Sequence, residues 1–176
     1  AAGLNSRTVA DPEDMERAYK ARNTLSTLKN VAEWFGGVRG RRKTLLWLSE
    51  GIDYDITDLI RDMGQPASQA STIIEDVRDA IAAATRANVS IYAVDPRGLT
   101  TMGDDTIGVS ALGNFDDPGN GLGLSGLQNE LMVSQNSLRT LADETGGFAS
   151  VNTNQFANAF MRIVEDNSRS EEHTSE

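Results

Sequence analysis

The sequence predicts an α/β fold with a mostly parallel, doubly wound sheet and helices on both faces. Two observations support this prediction: helix-like and strand-like segments alternate along the chain, and each strand-like segment is a short apolar run. Strands separated by helix-length segments are expected to run parallel and to be joined by crossovers. Three such strands make a thin sheet for a doubly wound fold. We therefore expect the chain to be part of a larger domain.

The first predicted helix begins at Asp11-Pro12 and ends before Gly36-Gly37. An aspartate cap followed by proline favours a helix start, and glycine favours a helix end. The next segment, residues 44–48, is apolar and too short for a helix, and it predicts a strand buried on both faces. A short helix is expected around residues 56–63.

The second half of the chain continues the alternation. A helix is predicted at about residues 67–87 because apolar side chains recur every three or four positions, and a strand follows at 89–94. Residues 99–126 are rich in glycine and predict a long loop that is either functional or disordered. A helix at about 127–144 and a strand at 148–151 come next. Asn152 or Thr153 is expected to cap a last helix that buries Phe156, Ala159, Phe160 and Ile163.

Residues 169–176 predict a disordered tail outside the domain formed by residues 1–168. The tail has no apolar residue and no periodicity. It also resembles the in-frame translation of a DNA sequencing adapter, so we set it aside when interpreting the fold. The only histidine, His173, lies in this tail. We therefore expect no mechanism that needs an imidazole.

Composition excludes several classes of function. The chain has 176 residues and a formal net charge of −10 at pH 7, so we expect no broad basic face and no nucleic-acid partner. The absence of cysteine excludes disulfides, thiolate metal sites and cysteine nucleophiles. No apolar run approaches the ~18 residues of a membrane span.

Three polar or glycine-rich motifs each have a simpler structural interpretation beside a functional one. Residues 121–126 have the spacing G-x-G-x-x-G, but they lie too far beyond a strand for a dinucleotide loop, and a flexible loop is favoured. The basic run at residues 39–43 is best interpreted as complementing a helix C-terminus, with phosphate binding as the alternative. Residues 49–51 and Asp95-Pro96 each follow a strand. Oxygen ligands there would suit Mg²⁺, and capping of turns is an equally good interpretation.

Three segments resemble the von Willebrand factor type A domain, most closely its bacterial VWFA-related branch. The segments are residues 40–52 (GRRKTLLWLSEGI), residues 87–99 (ANVSIYAVDPRGL), and residues 141–147 (LADETGG) with 152–154 (NTN). They occur in the family's order within a match that covers about residues 15–168. The resemblance implies a Rossmann-like sheet that is truncated at both ends, with its first strands upstream of residue 1.

The family's metal-ion-dependent adhesion site combines an Asp-x-Ser-x-Ser motif, a threonine and an aspartate at the carboxyl edge of the sheet. This chain contains no Asp-x-Ser-x-Ser motif. Thr24 is a weak match to the threonine, and Glu50 stands where aspartate is usual. The resemblance therefore names Thr24 and Glu50 as candidate metal ligands. It implies Mg²⁺ binding in the full-length protein, and we expect no tight binding by this chain.

The function implied by the resemblance is a non-enzymatic binding or adhesion module with a protein partner. The resemblance also favours an exported or cell-envelope location. One alternative is a fragment of a Rossmann-like enzyme that handles nucleotides or phosphate. Another is a remnant of the family in which the metal site has decayed.

Overall fold

The computed structural model describes residues 12–54, 56, 68–99 and 124–172. Within these ranges helices and strands alternate, as the sequence predicts. The elements are α1 (Pro12–Phe35), β1 (Lys43–Leu48), α2 (Ser68–Arg86), β2 (Val89–Val94), α3 (Leu124–Glu144), β3 (Ala149–Ser150) and α4 (Phe156–Glu172). Helix α3 begins three residues earlier than predicted, and β3 is shorter than the predicted strand.

The three strands form one parallel sheet in the order β1-β2-β3. Strand β1 pairs with β2 along its whole length, from Lys43 opposite Val89 to Leu48 opposite Val94. Strand β3 adds only two pairs to the end of β2. The architecture is α/β and compatible with a Rossmann-like fold, although the sheet is small and partial.

Helices α1, α2 and α3 cover one face of the sheet. Leu45 and Trp47 of β1 contact the apolar clusters that these helices form, and Ile91 of β2 belongs to one of them. Helices α1 and α2 are also joined by two ion pairs, Arg22 with Asp76 at 2.8 Å and Lys29 with Asp79 at 2.6 Å. The main core therefore lies between this face and these helices. Its fully buried members include Leu25, Ile73, Val77, Leu138 and Leu141.

Helix α4 lies against the other face of the sheet. Thr44 of β1 donates a hydrogen bond to Asn167, and the phenol of Tyr92 in β2 donates to Asp166. Burial of Tyr92, together with this hydrogen bond, raises the pKa of its phenol to about 12. The Tyr92 ring meets Phe148 edge-to-face at 5.2 Å. Helices thus contact both faces of the sheet.

The burial predicted for two segments is wrong. Strand β1 was expected to be buried on both faces, yet Leu46 is 40% exposed and Leu48 is 58% exposed. Leu46 and Leu48 alternate with Leu45 and Trp47, which pack on the main core, so they lie on the opposite face, which is covered less in this strand. Phe160 of α4 was also expected to be buried and is 39% exposed, whereas Ala159 and Ile163 are buried as predicted.

The predicted cap is wrong: Thr153 accepts a hydrogen bond from the N–H of Gln155, which precedes the helix, and the first turn of α4 bonds to Gln155 itself. Helix α4 continues to Glu172, and residues 173–176 of the predicted tail lie outside the described residues. Most of the predicted short helix at 56–63 and of the loop at 99–126 also lies outside them. No helix within the described ranges is long and apolar enough to cross a membrane.

Candidate functional site at the carboxyl edge of the sheet

Strands β1 and β2 end at the same edge of the sheet, where Leu48 pairs with Val94. The loop after β1 is held against α3: the N–H of Ile52 donates to the hydroxyl of Ser137 at 2.7 Å. Gly51 adopts a positive φ of 101°, and a Cβ at this position would overlap the backbone of Ser134. Glycine is therefore required for this close approach of loop and helix.

The loop after β2 contains a fully buried carboxylate, Asp95, with 0% exposure. The guanidinium of Arg97 donates a hydrogen bond to each of its oxygens: Nε lies 2.9 Å from Oδ1, and Nη2 lies 2.9 Å from Oδ2. The backbone N–H of Arg97 also donates to Oδ1, and Gln135 of α3 donates to Oδ2. Burial of a carboxylate is tolerated only when its charge is paired and hydrogen-bonded, and Arg97 meets both conditions.

Arg97 also connects the two loops to α3. Its Nη2 donates to the backbone carbonyl of Glu50 at 2.7 Å and to the hydroxyl of Ser134 at 3.0 Å. One guanidinium thus joins the loop after β1, the loop after β2 and the helix that covers them. This arrangement stabilises the carboxyl edge in one conformation and leaves 24% of the Arg97 side chain exposed.

The two predicted metal ligands lie on different elements. Thr24 is in the middle of α1, where its hydroxyl donates to the carbonyl of Lys20 one turn earlier. Glu50 lies in the loop after β1, and its side chain is exposed. Among the described residues no hydrogen bond joins the two side chains, and Glu50 contributes its backbone carbonyl, rather than its carboxylate, to the Arg97 cluster.

The described residues do not fit a Mg²⁺ centre. Mg²⁺ needs several oxygen ligands in near-octahedral geometry. The carboxylate of Asp95 is already neutralised by Arg97, and the hydroxyl of Thr24 is directed to its own helix. Across residues 12–54, 56, 68–99 and 124–172 there is no group of three or more His, Cys, Asp or Glu residues that could hold a metal ion.

A second feature is a groove between α1 and the edge of β1 that pairs with no other described strand; we call it the β1 groove. Its volume is about 360 Å³, and Thr24 lies in it. The remaining lining is mostly apolar and comes from both elements: Asn23, Thr27, Leu28 and Val31 of α1, and Leu45, Leu46 and Trp47 of β1.

Sequence reasoning did not identify Arg97, Ser134 or Gln135 as members of the edge cluster. Arg97 lies two residues after Asp95 in a turn, a spacing that allows a carboxylate to accept from the following backbone. That local pattern was the only available signal. Ser134 and Gln135 lie about 40 residues further along the chain, on a helix whose rotation against the sheet is decided by packing.

The chain matches no protein-family model, no curated protein and no solved structure at the level that marks a relative.

Proposed function

We propose that this chain is a non-enzymatic binding module of the von Willebrand type A kind, and that it takes up a polypeptide partner along β1. The element order and the parallel sheet are compatible with the proposal, and the three resembling segments motivate it. We also propose that the complete domain has the doubly wound sheet of that family. The observation that carries the binding function is the free edge of β1 beside an apolar groove.

The β1 edge has the properties of a strand-docking surface. Among the described residues β1 pairs only with β2, so alternate N–H and C=O groups of β1 point away from the sheet. Leu46 is 40% exposed next to the β1 groove, which is lined mostly by apolar side chains. An added strand would satisfy the backbone groups and bury apolar side chains at the same time.

The alternative of a nucleotide- or phosphate-handling enzyme has less support at the carboxyl edge. Phosphate binding there needs free backbone N–H groups or cations next to a strand end. The loop after β2 instead directs Arg97 inward to Asp95, and the glycine motif at 121–126 lies only partly within the described residues.

A peptide-binding experiment tests the proposal. Trp34→Phe leaves Trp47, in the β1 groove, as the only tryptophan of the chain. The probe is a capped heptapeptide in which valine and threonine alternate, and the readout is Trp47 fluorescence during titration. We expect a saturable change, because an added strand would cover the groove that Trp47 lines.

The matched control is the same peptide with alternate amides N-methylated, which removes the donors needed for strand pairing. We expect this control to cause no change. Equal effects of the two peptides, or no effect of either, would count against the proposal.

Metal dependence is a separate prediction. Because Thr24 and Glu50 alone supply too few ligands, we expect Mg²⁺ to bind with a dissociation constant no better than about 1 mM. Calorimetric titration with MgCl₂ measures it. A micromolar site that Glu50→Ala abolishes would contradict this expectation and would restore the metal-dependent form of the function.

A further inference from the structure

A cleft of about 540 Å³ lies at the amino edge of the sheet, opposite the Arg97 cluster. It lies where α1 and α2 end and where β1 and β2 begin. Five cationic side chains line this basic cleft, and no acidic residue is among the described residues that line it. In a chain with a net charge of −10, this is a local reversal of sign. The five side chains are Arg39, Arg41, Arg42, Lys43 and Arg86.

Two of these cations have roles within the fold. The ammonium of Lys43 donates to the carbonyl of Ala87, just after α2, at 2.7 Å. Arg42 donates to the hydroxyl of Ser90 at 2.7 Å and to the carbonyl of Gly146, just after α3. Cations near helix C-termini complement the helix dipole. Lys43 and Arg42 thus lie at helix C-termini as the sequence indicates, but at those of α2 and α3 rather than that of α1, which the basic run follows.

Arg39 and Arg86 are not explained in this way. Both are exposed, and neither side chain forms a hydrogen bond or ion pair with any described residue. At the interface of α1 and α2, by contrast, Arg22 and Lys29 each reach an aspartate. Of the cations in the cleft, Arg42 lies 4.0 Å from the carboxylate of Asp166. The hydrogen bond from Lys29 lowers the pKa of Asp79, and the charge of Arg86 adds to this effect without an ion pair between Arg86 and Asp79.

The backbone around Arg39 is also open to a ligand. The N–H groups of Arg39 and Gly40 have no acceptor among the described residues. Gly40 has a positive φ of 82°, and a Cβ at that position would meet nothing within 4 Å. Backbone donors and arginine side chains therefore border the same open space.

We propose that the basic cleft binds a compact polyanion, a pyrophosphate group that is either free or carried by a nucleotide. The helix ends and Asp166 offset part of the positive charge at Lys43 and Arg42, whereas Arg39 and Arg86 form no ion pair with a described residue. A phosphate group carries up to about two negative charges and accepts the paired donors of guanidinium. The cleft volume is within the range of small-molecule sites, roughly 300–1,000 Å³. This proposal is independent of the proposed function, because the β1 groove and the basic cleft share no lining residue.

Calorimetric titration of the full chain with inorganic pyrophosphate, at fixed low salt, tests the proposal. We expect saturable binding that the double variant Arg39→Gln, Arg86→Gln weakens at least about tenfold, since each arginine supplies charged hydrogen bonds. The matched control is Arg78→Gln with Arg139→Gln, which removes the same charge from exposed positions that do not line the cleft. Thermal melts verify that both variants fold.

Parallel titrations with ADP and with a capped hexaglutamate peptide identify the chemistry. Binding of ADP tighter than pyrophosphate assigns the group to a nucleotide, and equal or weaker binding assigns it to the free anion; either result supports the proposal. Equal losses in the two double variants would mean general attraction to positive charge and would overturn it. No binding of pyrophosphate, or tighter binding of hexaglutamate that depends on Arg39 and Arg86, would overturn it as well.

Discussion

Strands β1 and β2 have the same length and similar apolar content, yet they have opposite environments. Every residue of β2 is buried, whereas in β1 Leu46 and Leu48 are exposed. The loops that follow differ in the same way: Asp95 after β2 is fully buried and paired, and Glu50 after β1 is exposed. Strand β2 has a neighbour on each side, and β1 has one on a single side among the described residues. Apolar composition therefore predicts that a segment is a strand, whereas the strands and helices that pack around it determine how far it is buried.

The largest expected effect is in the core of β2. Ile91 is 1% exposed, so Ile91→Ala should lower the free energy of unfolding by about 4 kcal/mol through lost burial and a residual cavity. Leu46→Ala in β1 removes a side chain that is already partly exposed to solvent, so it should lower the free energy of unfolding by less than about 1 kcal/mol. Urea denaturation measures both. If Ile91→Ala abolishes folding, Ile91→Val with an expected loss of about 1 kcal/mol provides the comparison. Equal losses at the two strands would refute the difference in burial.

The next effect concerns the two loops. Arg97→Ala leaves the buried carboxylate of Asp95 without its cation and should cost about 3 kcal/mol, while Glu50→Ala should change stability by less than about 0.5 kcal/mol. The same denaturation assay applies. In an Asp95→Asn background the cost of Arg97→Ala should shrink, because the buried charge is gone. An unchanged cost in that background would show that Arg97 acts without Asp95.

A smaller effect depends on pH and on Tyr92 of β2. Its pKa is raised from 10.0 to about 12, so folding favours the neutral phenol. The stability that this provides is fully present below about pH 10 and is lost as the pH rises toward 12. Tyr92→Phe should cost about 1 kcal/mol at neutral pH and should remove this alkaline component. Thermal melts from pH 8 to 11 measure it, and an identical pH dependence in the two proteins would contradict it.

The smallest change in stability, with the clearest effect on association, is expected at the β1 edge. A free apolar edge favours pairing between copies, and lysine on an edge strand opposes it. Leu46→Lys should reduce self-association in sedimentation velocity and alter stability by less than about 0.5 kcal/mol. Met132→Lys, at a 62% exposed position of α3, is the control for added charge. A wild-type chain that stays monomeric at high concentration would contradict the prediction.

Local chemistry was sufficient to predict the order and most boundaries of the elements. Helix α1 ends before Gly36-Gly37 as predicted, and β2 ends before Asp95-Pro96, because glycine and proline act on the residues next to them. The polar residues after the strands were also predicted to share one edge, since parallel strands end on the same side.

The tertiary structure decided which of these residues are buried, paired or exposed. Asp95 and Glu50 are both acids after strands, and only the packing of α3 brings Gln135 and Ser134 to one of them, with Arg97 between. Likewise β1 and β2 are both apolar runs, and only the order of the sheet places one at its edge. Such contacts join residues about 40 positions apart, so they form only when the whole fold is assembled. A local sequence pattern therefore cannot predict them.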